Sequence, residues 1–315
     1  MDKISEKIKM IDKIKKLIIK NNIDGYLVAK NDKYFTEYSN SINLKLISNF
    51  SGSAGFALIM KNKNYLFVDG RYILQAKKES GKKFKIIEIP YFWPKNILSK
   101  SKKKLSIGFD PKLFTYFSLN RYFENCCKLI PINENIFNKA NHLKLVKKNK
   151  FFILKEIIAG EKVSTKVKKI TKILRKNKID NIFISAGENI CWLLNIRGKD
   201  LPNSPVANCR LILTKNNRIY FFSDKTKISK IKTLQKKLNI SFHNENEFFE
   251  ILYKIKKASF CIDGQTCSIF DQELINSKFL IKKKVDPIYF FKSIKNKIEI
   301  KNMKNAHIID GAALT

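Results

Sequence analysis

The chain has 315 residues, 44% apolar and 12% aromatic, enough to bury two cores, which excludes intrinsic disorder. Basic residues outnumber acids 63 to 27, a net charge of +36. Yet Arg stands only at positions 71, 121, 175, 197, 210 and 218, and the lysines are spread evenly among Ile and Asn. A built nucleic-acid interface gathers its cations on one face and favours Arg, so the pattern argues against specific nucleic-acid binding and leaves weak, salt-sensitive adhesion to polyanions. No run of eighteen apolar residues is present, so no membrane span is expected.

In chain order, the Met1–Lys9 segment opens an amphipathic helix and lacks the apolar stretch of a secretory signal. The six cysteines, 126, 127, 191, 209, 261 and 267, show no CxxC spacing and read as reduced thiols of a cytoplasmic protein. Ile14–Val28 is a helix, an Asn-containing break and an apolar strand, and Ile170–Ile184 repeats that plan. Each copy then predicts a hairpin: 56–60 with 65–69, and 211–214 with 218–222. In the first copy helix follows over 71–80, strands over 84–89 and 106–109, helix over 113–126 and strand over 129–132. The second copy continues with helix over 247–255, strand over 259–263 and helix over 271–275. Strands alternating with helices after a hairpin imply an α/β fold with a mixed sheet in each copy.

The tail from Asp286 reads as one long helix over about 289–315 with apolar residues Ile294, Ile298, Met303, Ala306, Ile309 and Ala313 in a stripe. No helix stop signal follows, and the expectation is a chain cut at the start of a further domain. The boundaries expected are a first domain over 1–141, a linker helix over 142–160, a second domain over 161–285 and the terminal helix over 286–315.

Asn49–Gly55 is a small-residue turn feeding a strand; no helix opens there, so close packing explains it better than phosphate binding. Asp69 is placed to cap the helix near Arg71, with Tyr72 beside it. Between Cys191 and Asp200, Trp192, Asn195, Arg197 and Asp200 either line a recognition mouth or serve the fold, Trp192 as core and Arg197 paired with Asp200. Arg71, Tyr72, Trp192, Asn195, Arg197 and Asp200 are therefore the substrate-proximal or interface candidates. The histidines at 142, 243 and 307 sit at no ligand spacing, and no catalytic or metal-binding residue is assigned.

These motifs resemble the three-domain Xaa-Pro aminopeptidases (aminopeptidase P) of the creatinase and prolidase superfamily. The family pattern GFxGSAG followed by DGRYxxQA is similar to Asn49–Gly55 and Asp69–Ala76. IAWLxNxRGxDxxxxPV resembles Ile190–Val206, and a third pattern resembles Pro287–Leu314; Asn49 and Cys191 depart mildly from the usual Gly and Ala. The resemblance covers the chain in order and implies two tandem creatinase N-terminal-like domains plus the first helix of a pita-bread catalytic domain. It further implies two divalent metals in the whole enzyme, usually manganese, held by residues beyond Thr315. It implies peptides with proline at the second position as substrates, and allows a homodimer. The chain itself is expected to be a non-catalytic N-terminal part that binds no metal. A free-standing binding or regulatory module and a polyanion-binding protein are the alternatives.

Overall fold

Gly25–Ala29 (β1) is buried at all five positions, and alternate side chains leave on opposite faces. Tyr26 and Val28 enter one apolar cluster, Leu27 and Ala29 another. A strand covered on both faces reads as a continuous apolar run and belongs at the centre of a sheet. The computed structural model describes residues 3–36, 39, 41–134, 136–137, 149–256 and 258–315. It divides into two units, residues 1–145 with 268–270 and residues 146–267 with 271–315.

In the first unit, α1 (Lys3–Lys20) leads into β1, then α2 (Asn43–Ser48), β2 (Phe56–Met60) and β3 (Asn64–Asp69). There follow α3 (Ile73–Ser80), β4 (Lys85–Ile89), α4 (Pro94–Leu98), β5 (Ser106–Phe109), α5 (Tyr116–Phe123) and β6 (Lys128–Pro131). The six strands are ordered β4-β3-β2-β1-β5-β6. The β1–β2–β3 run is antiparallel, and β4, β5 and β6 join in parallel.

The second unit holds β7 (Phe152–Ile153), α6 (Glu156–Ala159), α7 (Val163–Lys176), β8 (Asn181–Ile184), α8 (Gly187–Leu194), β9 (Ile196–Arg197), β10 (Arg210–Thr214) and β11 (Ile219–Phe222). It continues with β12 (Ile240–His243), α9 (Phe248–Lys254), β13 (Ser259–Ile262), α10 (Ile269–Asn276, of which 269 and 270 count with the first unit), β14 (Leu280–Lys283), α11 (Pro287–Ser293) and α12 (Lys297–Leu314). Its main sheet runs β12-β11-β10-β8-β13-β14, the same order and the same directions as the first, strand for strand. β8 splits its side chains as β1 does, with Ile182 and Ile184 in one cluster and Phe183 in the other. The two-copy α/β plan, with a mixed sheet flanked by helices in each copy, is thus the fold of this chain. Among the described residues, a small β7–β9 ladder is added in the second copy only.

Several boundaries differ from the sequence expectation. The helix expected over 113–126 shortens to Tyr116–Phe123, because Thr115 and Ser118 form a capping box and Glu124 turns left-handed at φ 41°. Ahead of α3, Gly70–Tyr72 is a tight 3-10 turn. Of the linker helix expected over 142–160, residues 142–148 lie outside the described residues, 149–155 are non-helical with β7 inside them, and only Glu156–Ala159 is helical. The single terminal helix is two: Ile294 is extended, and Asn296 starts α12 by accepting from Ile298 N and Glu299 N while Glu299 reaches back to Asn296 N. That Asn-x-x-Glu box is a start signal the apolar spacing concealed.

α12 buries none of its residues, and Met303 and Ile309 are 50% and 71% exposed. Among the described residues it is anchored near its start, where Asn296 Nδ2 donates to Ala159 O at 2.9 Å and Asn302 Nδ2 to Ile158 O at 3.0 Å. A helix of 18 residues without a docking face is marginal in water. Amides from about 303 onward should therefore exchange within seconds to minutes in hydrogen-exchange mass spectrometry, while β8 and β10 stay protected. Asn296→Ala should extend fast exchange back to 297, at a cost near 1 kcal/mol for the lost cap. Slow exchange throughout α12 in a monomeric sample would contradict this.

Candidate functional site

In the first unit the sequence motifs meet each other. Asn49 closes α2 in the left-handed region at φ 62°, and the chain turns back at Gly55, whose φ of +142° and 2.8 Å clearance from Phe67 O leave no room for a Cβ. The turn is pinned to α3 by Glu79, which accepts from Ser51 N and Ser51 Oγ, both at 2.7 Å. Gln75 Nε2 donates to Ser51 Oγ at 3.0 Å, and Ser53 Oγ lies 2.6 Å from the Tyr72 hydroxyl. Asp69 caps the following turn as expected, accepting from Arg71 N at 3.0 Å, and it also takes the Arg71 guanidinium at 3.0 and 2.9 Å. Arg71 and Tyr72 are thus brought together, the guanidinium 5.4 Å from the ring centroid, on an exposed hydrogen-bonded surface. With Asp69 already holding Arg71, this surface is organised as a rigid corner.

The second-unit motif forms around a lysine that the sequence reading passed over. Lys166 is 2% exposed on the inner face of α7, and its ammonium donates to Asn195 Oδ1 at 2.8 Å and to Trp192 O at 3.0 Å. It also sits 4.1 Å from the Trp192 ring centroid, a cation–π contact in a dry setting. Burial draws its pKa down to about 8, against the pull of Glu299 and Glu161. Asn195 takes the left-handed conformation that ends α8 (φ 51°), and its amide donates to Glu161 O at 2.8 Å. The signal was available: Lys166 falls inside the apolar stripe of Val163, Val167, Ile170 and Leu174, where a lysine needs buried acceptors.

Trp192 is core, and Arg197 does not pair with Asp200. Arg197 Nη1 donates to Cys191 O and Ile196 O at 3.2 and 2.8 Å. Asp200 is buried against Lys227 at 2.7 Å and accepts from Asn208 N at 2.8 Å, which ties the loop after β9 to the segment after β11. Trp192, Asn195 and Arg197 therefore converge, whereas Asp200 belongs to a separate buried ion pair.

Two further networks were not legible in the sequence. Asp286 caps α11 through Ile288 N at 2.9 Å and accepts from Asn189 Nδ2 at 2.8 Å, while its own N–H donates to Asp263 at 2.9 Å. Burial pushes Asp286 up to about 6, with the Asp263 charge adding to the effect. The second network is a chain from Ser241 Oγ to His243 Nε2 (2.8 Å) and from His243 Nδ1 to Glu247 (3.2 Å). Its order matches a nucleophile relay, but Lys225 bonds Glu247 at 2.6 Å and holds its pKa down to about 2, which weakens that carboxylate as a partner for His243. Among the described residues no group of three or more His, Cys, Asp or Glu could hold a metal ion, and the buried Asp263 and Asp286 are already occupied by N–H donors. The donor set does not fit a metal centre.

Comparison with known proteins is consistent along the whole chain. Residues 10–139 and 141–299 each match the creatinase/prolidase N-terminal domain. Xaa-Pro aminopeptidase 1 of Dictyostelium discoideum is 29% identical over 327 residues, covering 97% of this chain and 52% of the relative. The "Probable Xaa-Pro aminopeptidase P" of Talaromyces stipitatus is 27% identical, covering 96% and 49%. The chain thus spans about half the length of the curated relatives it matches. The crystal structure of X-prolyl aminopeptidase from Caenorhabditis elegans, described as a cytosolic enzyme with a di-nuclear active site, superposes over 100% of this chain and 55% of its own. That superposition has a TM-score of 0.86 at 22% identity, a likeness of fold.

Lys166 gives this site its sharpest test. Lys166→Met leaves two buried acceptors, Trp192 O and Asn195 Oδ1, without their donor, and should cost about 1–3 kcal/mol in urea denaturation at pH 7. Because folding lowers the Lys166 pKa, the unfolded chain binds more protons between about 8 and 10.5, and this group's contribution to stability rises with pH across that window. The methionine variant should lack that rise relative to the parent, and an identical pH profile would count against the assignment.

Proposed function

Because the chain belongs to the creatinase/prolidase N-terminal domain family, we propose that it forms the two-domain N-terminal part of a metal-dependent Xaa-Pro aminopeptidase. The observation that carries the reading is the co-linear match to the Dictyostelium enzyme across 97% of this chain. In this reading the whole protein removes an N-terminal residue that precedes proline, with two divalent metals, manganese by family resemblance, supplying the hydrolytic chemistry when bound. That reading assigns the metals to other residues, since no group of three or more His, Cys, Asp or Glu among the described residues could hold a metal ion. The homodimer that the resemblance allows, and a cytoplasmic location, belong to the same reading. All six cysteines are free thiols, and the worm enzyme is described as cytosolic; among the described residues no helix is long and apolar enough to cross a membrane.

The role proposed for these residues is positional. Arg71, Tyr72, Trp192, Asn195, Arg197 and Asp200 shape and stiffen the two domains that wall the substrate path, and restrict it to small peptides. None of the six is free to act as acid, base or nucleophile while holding the partners described above.

A paired assay tests this. The 315-residue chain should neither bind manganese stoichiometrically at micromolar concentration nor hydrolyse Arg-Pro-Pro. A full-length protein should cleave Arg-Pro-Pro in the presence of manganese and leave Arg-Ala-Pro intact. Turnover by the 315-residue chain alone, or a full-length protein indifferent to proline, would overturn the reading.

A further inference from the structure

The second unit contains a cavity of about 580 Å³, within the size range of small-molecule sites. Its walls come from β7 and the residues after it, the first turn of α7, Asn195, and the 3-10 segment Ser229–Lys236 with the residues that follow. Its less exposed lining is apolar, formed by Ile153, Leu154, Val163, Leu234 and Leu238. Three exposed lysines, Lys155, Lys162 and Lys237, line it with one exposed acidic residue, Glu156. None of the three is in an ion pair among the described residues, whereas Lys169, Lys215, Lys225, Lys227 and Lys254 of the same unit all are. Lys162 is also the N-cap of α7 and offers no side-chain acceptor to the first-turn N–H groups, so the backbone adds partial positive charge on the same side.

We propose that this cavity binds an amphiphilic organic carboxylate, a molecule with an apolar body and a single carboxylate head. Charge complementarity selects the head, and the apolar lining selects the body. Lysine and arginine make up 63 of 315 residues, so positive charge alone would discriminate nothing; the ligand must use both features at once. Asn195 joins the cavity wall to the Lys166 and Trp192 cluster through its side-chain carbonyl. An occupant would therefore stiffen the part of the second unit that the sequence motif builds. The proposal goes beyond the peptidase reading and does not depend on it.

Isothermal titration of the 315-residue chain at 150 mM salt, with octanoate, acetate and octan-1-ol as probes, separates the contributions. Octanoate should bind saturably at one site, at least tenfold tighter than acetate, which has the head alone, and octanol, which has the body alone. Thr233 is an exposed lining residue, so Thr233→Trp should fill the cavity and weaken octanoate at least tenfold while leaving the melting temperature unchanged. The double variant Lys162→Glu/Lys237→Glu should weaken it by a similar factor. Lys172→Glu/Lys176→Glu, an equal charge change in the C-terminal half of α7, should not. Equal affinity for acetate, an unsaturable isotherm, absence of octanoate binding, or binding indifferent to Thr233→Trp would each overturn the proposal.

Discussion

One carboxylate per copy holds the fold's central joint. At the corner where the helix preceding the central strand turns into it stands an aspartate in each copy, Asp24 between α1 and β1 and Asp180 between α7 and β8. Asp24 accepts from Ser106 N at 2.9 Å and from Lys103 at 3.0 Å. Asp180 accepts from Ser259 N at 2.9 Å, Ser259 Oγ at 3.0 Å and Lys215 at 2.7 Å. In both cases the partner serine opens the neighbouring parallel strand, β5 or β13. A parallel neighbour arrives only after a long crossover, so its register needs a local fix at the strand start, and the aspartate supplies one. Register decides which face every later side chain takes, and the two-sided cores depend on it.

The remaining polar motif residues extend that logic outward. Glu79 and Gln75 seat the turn after α2, Lys166 joins α7 to the end of α8, and Asp200 with Lys227 closes the long loop after β9. Small residues appear where backbone passes close by: a Cβ on Gly198 would lie 2.8 Å from Ala207 Cα. Such groups resemble an active site in composition, with Trp, Arg, Asn, Lys and Asp close together. The polar atoms of Lys166, Asn195, Arg197 and Asp200 bond neighbouring backbone and side chains, while Trp192 Nε1 is buried with no partner among the described residues.

The repeat was legible because both copies carry the helix–break–strand run ending in Ile-Asp before a buried strand, Ile23–Asp24 and Ile179–Asp180. Periodicity found the hairpins and most helices, since a buried strand and an amphipathic helix write different patterns. It missed the edge strands β12 and β14, whose partly or fully exposed residues such as Lys282 and Lys283 carry no apolar run. It also merged α11 with α12, because apolar spacing continued across the break at Ile294 while the capping box alone marked the restart. For the site, residue types pointed to the right segments and the pairings stayed hidden. Asp200 reaches Lys227 and Lys166 reaches Asn195 across 27 and 29 positions of sequence, contacts that only the folded topology creates.

The aspartate joint is measured most directly by its acid response. Lys215, then the Ser259 N–H, hold the Asp180 pKa down to about 2. A depressed carboxylate contributes stability above its unfolded pKa near 4 and loses it as pH falls through the folded value. Urea midpoints read by Trp192 fluorescence in a Trp93→Phe background, between pH 5 and pH 2, isolate the second unit. The parent should lose stability across that interval, and Asp180→Asn should start lower and follow a flatter course. The same slope in both proteins, or an unchanged midpoint at pH 5, would contradict the account.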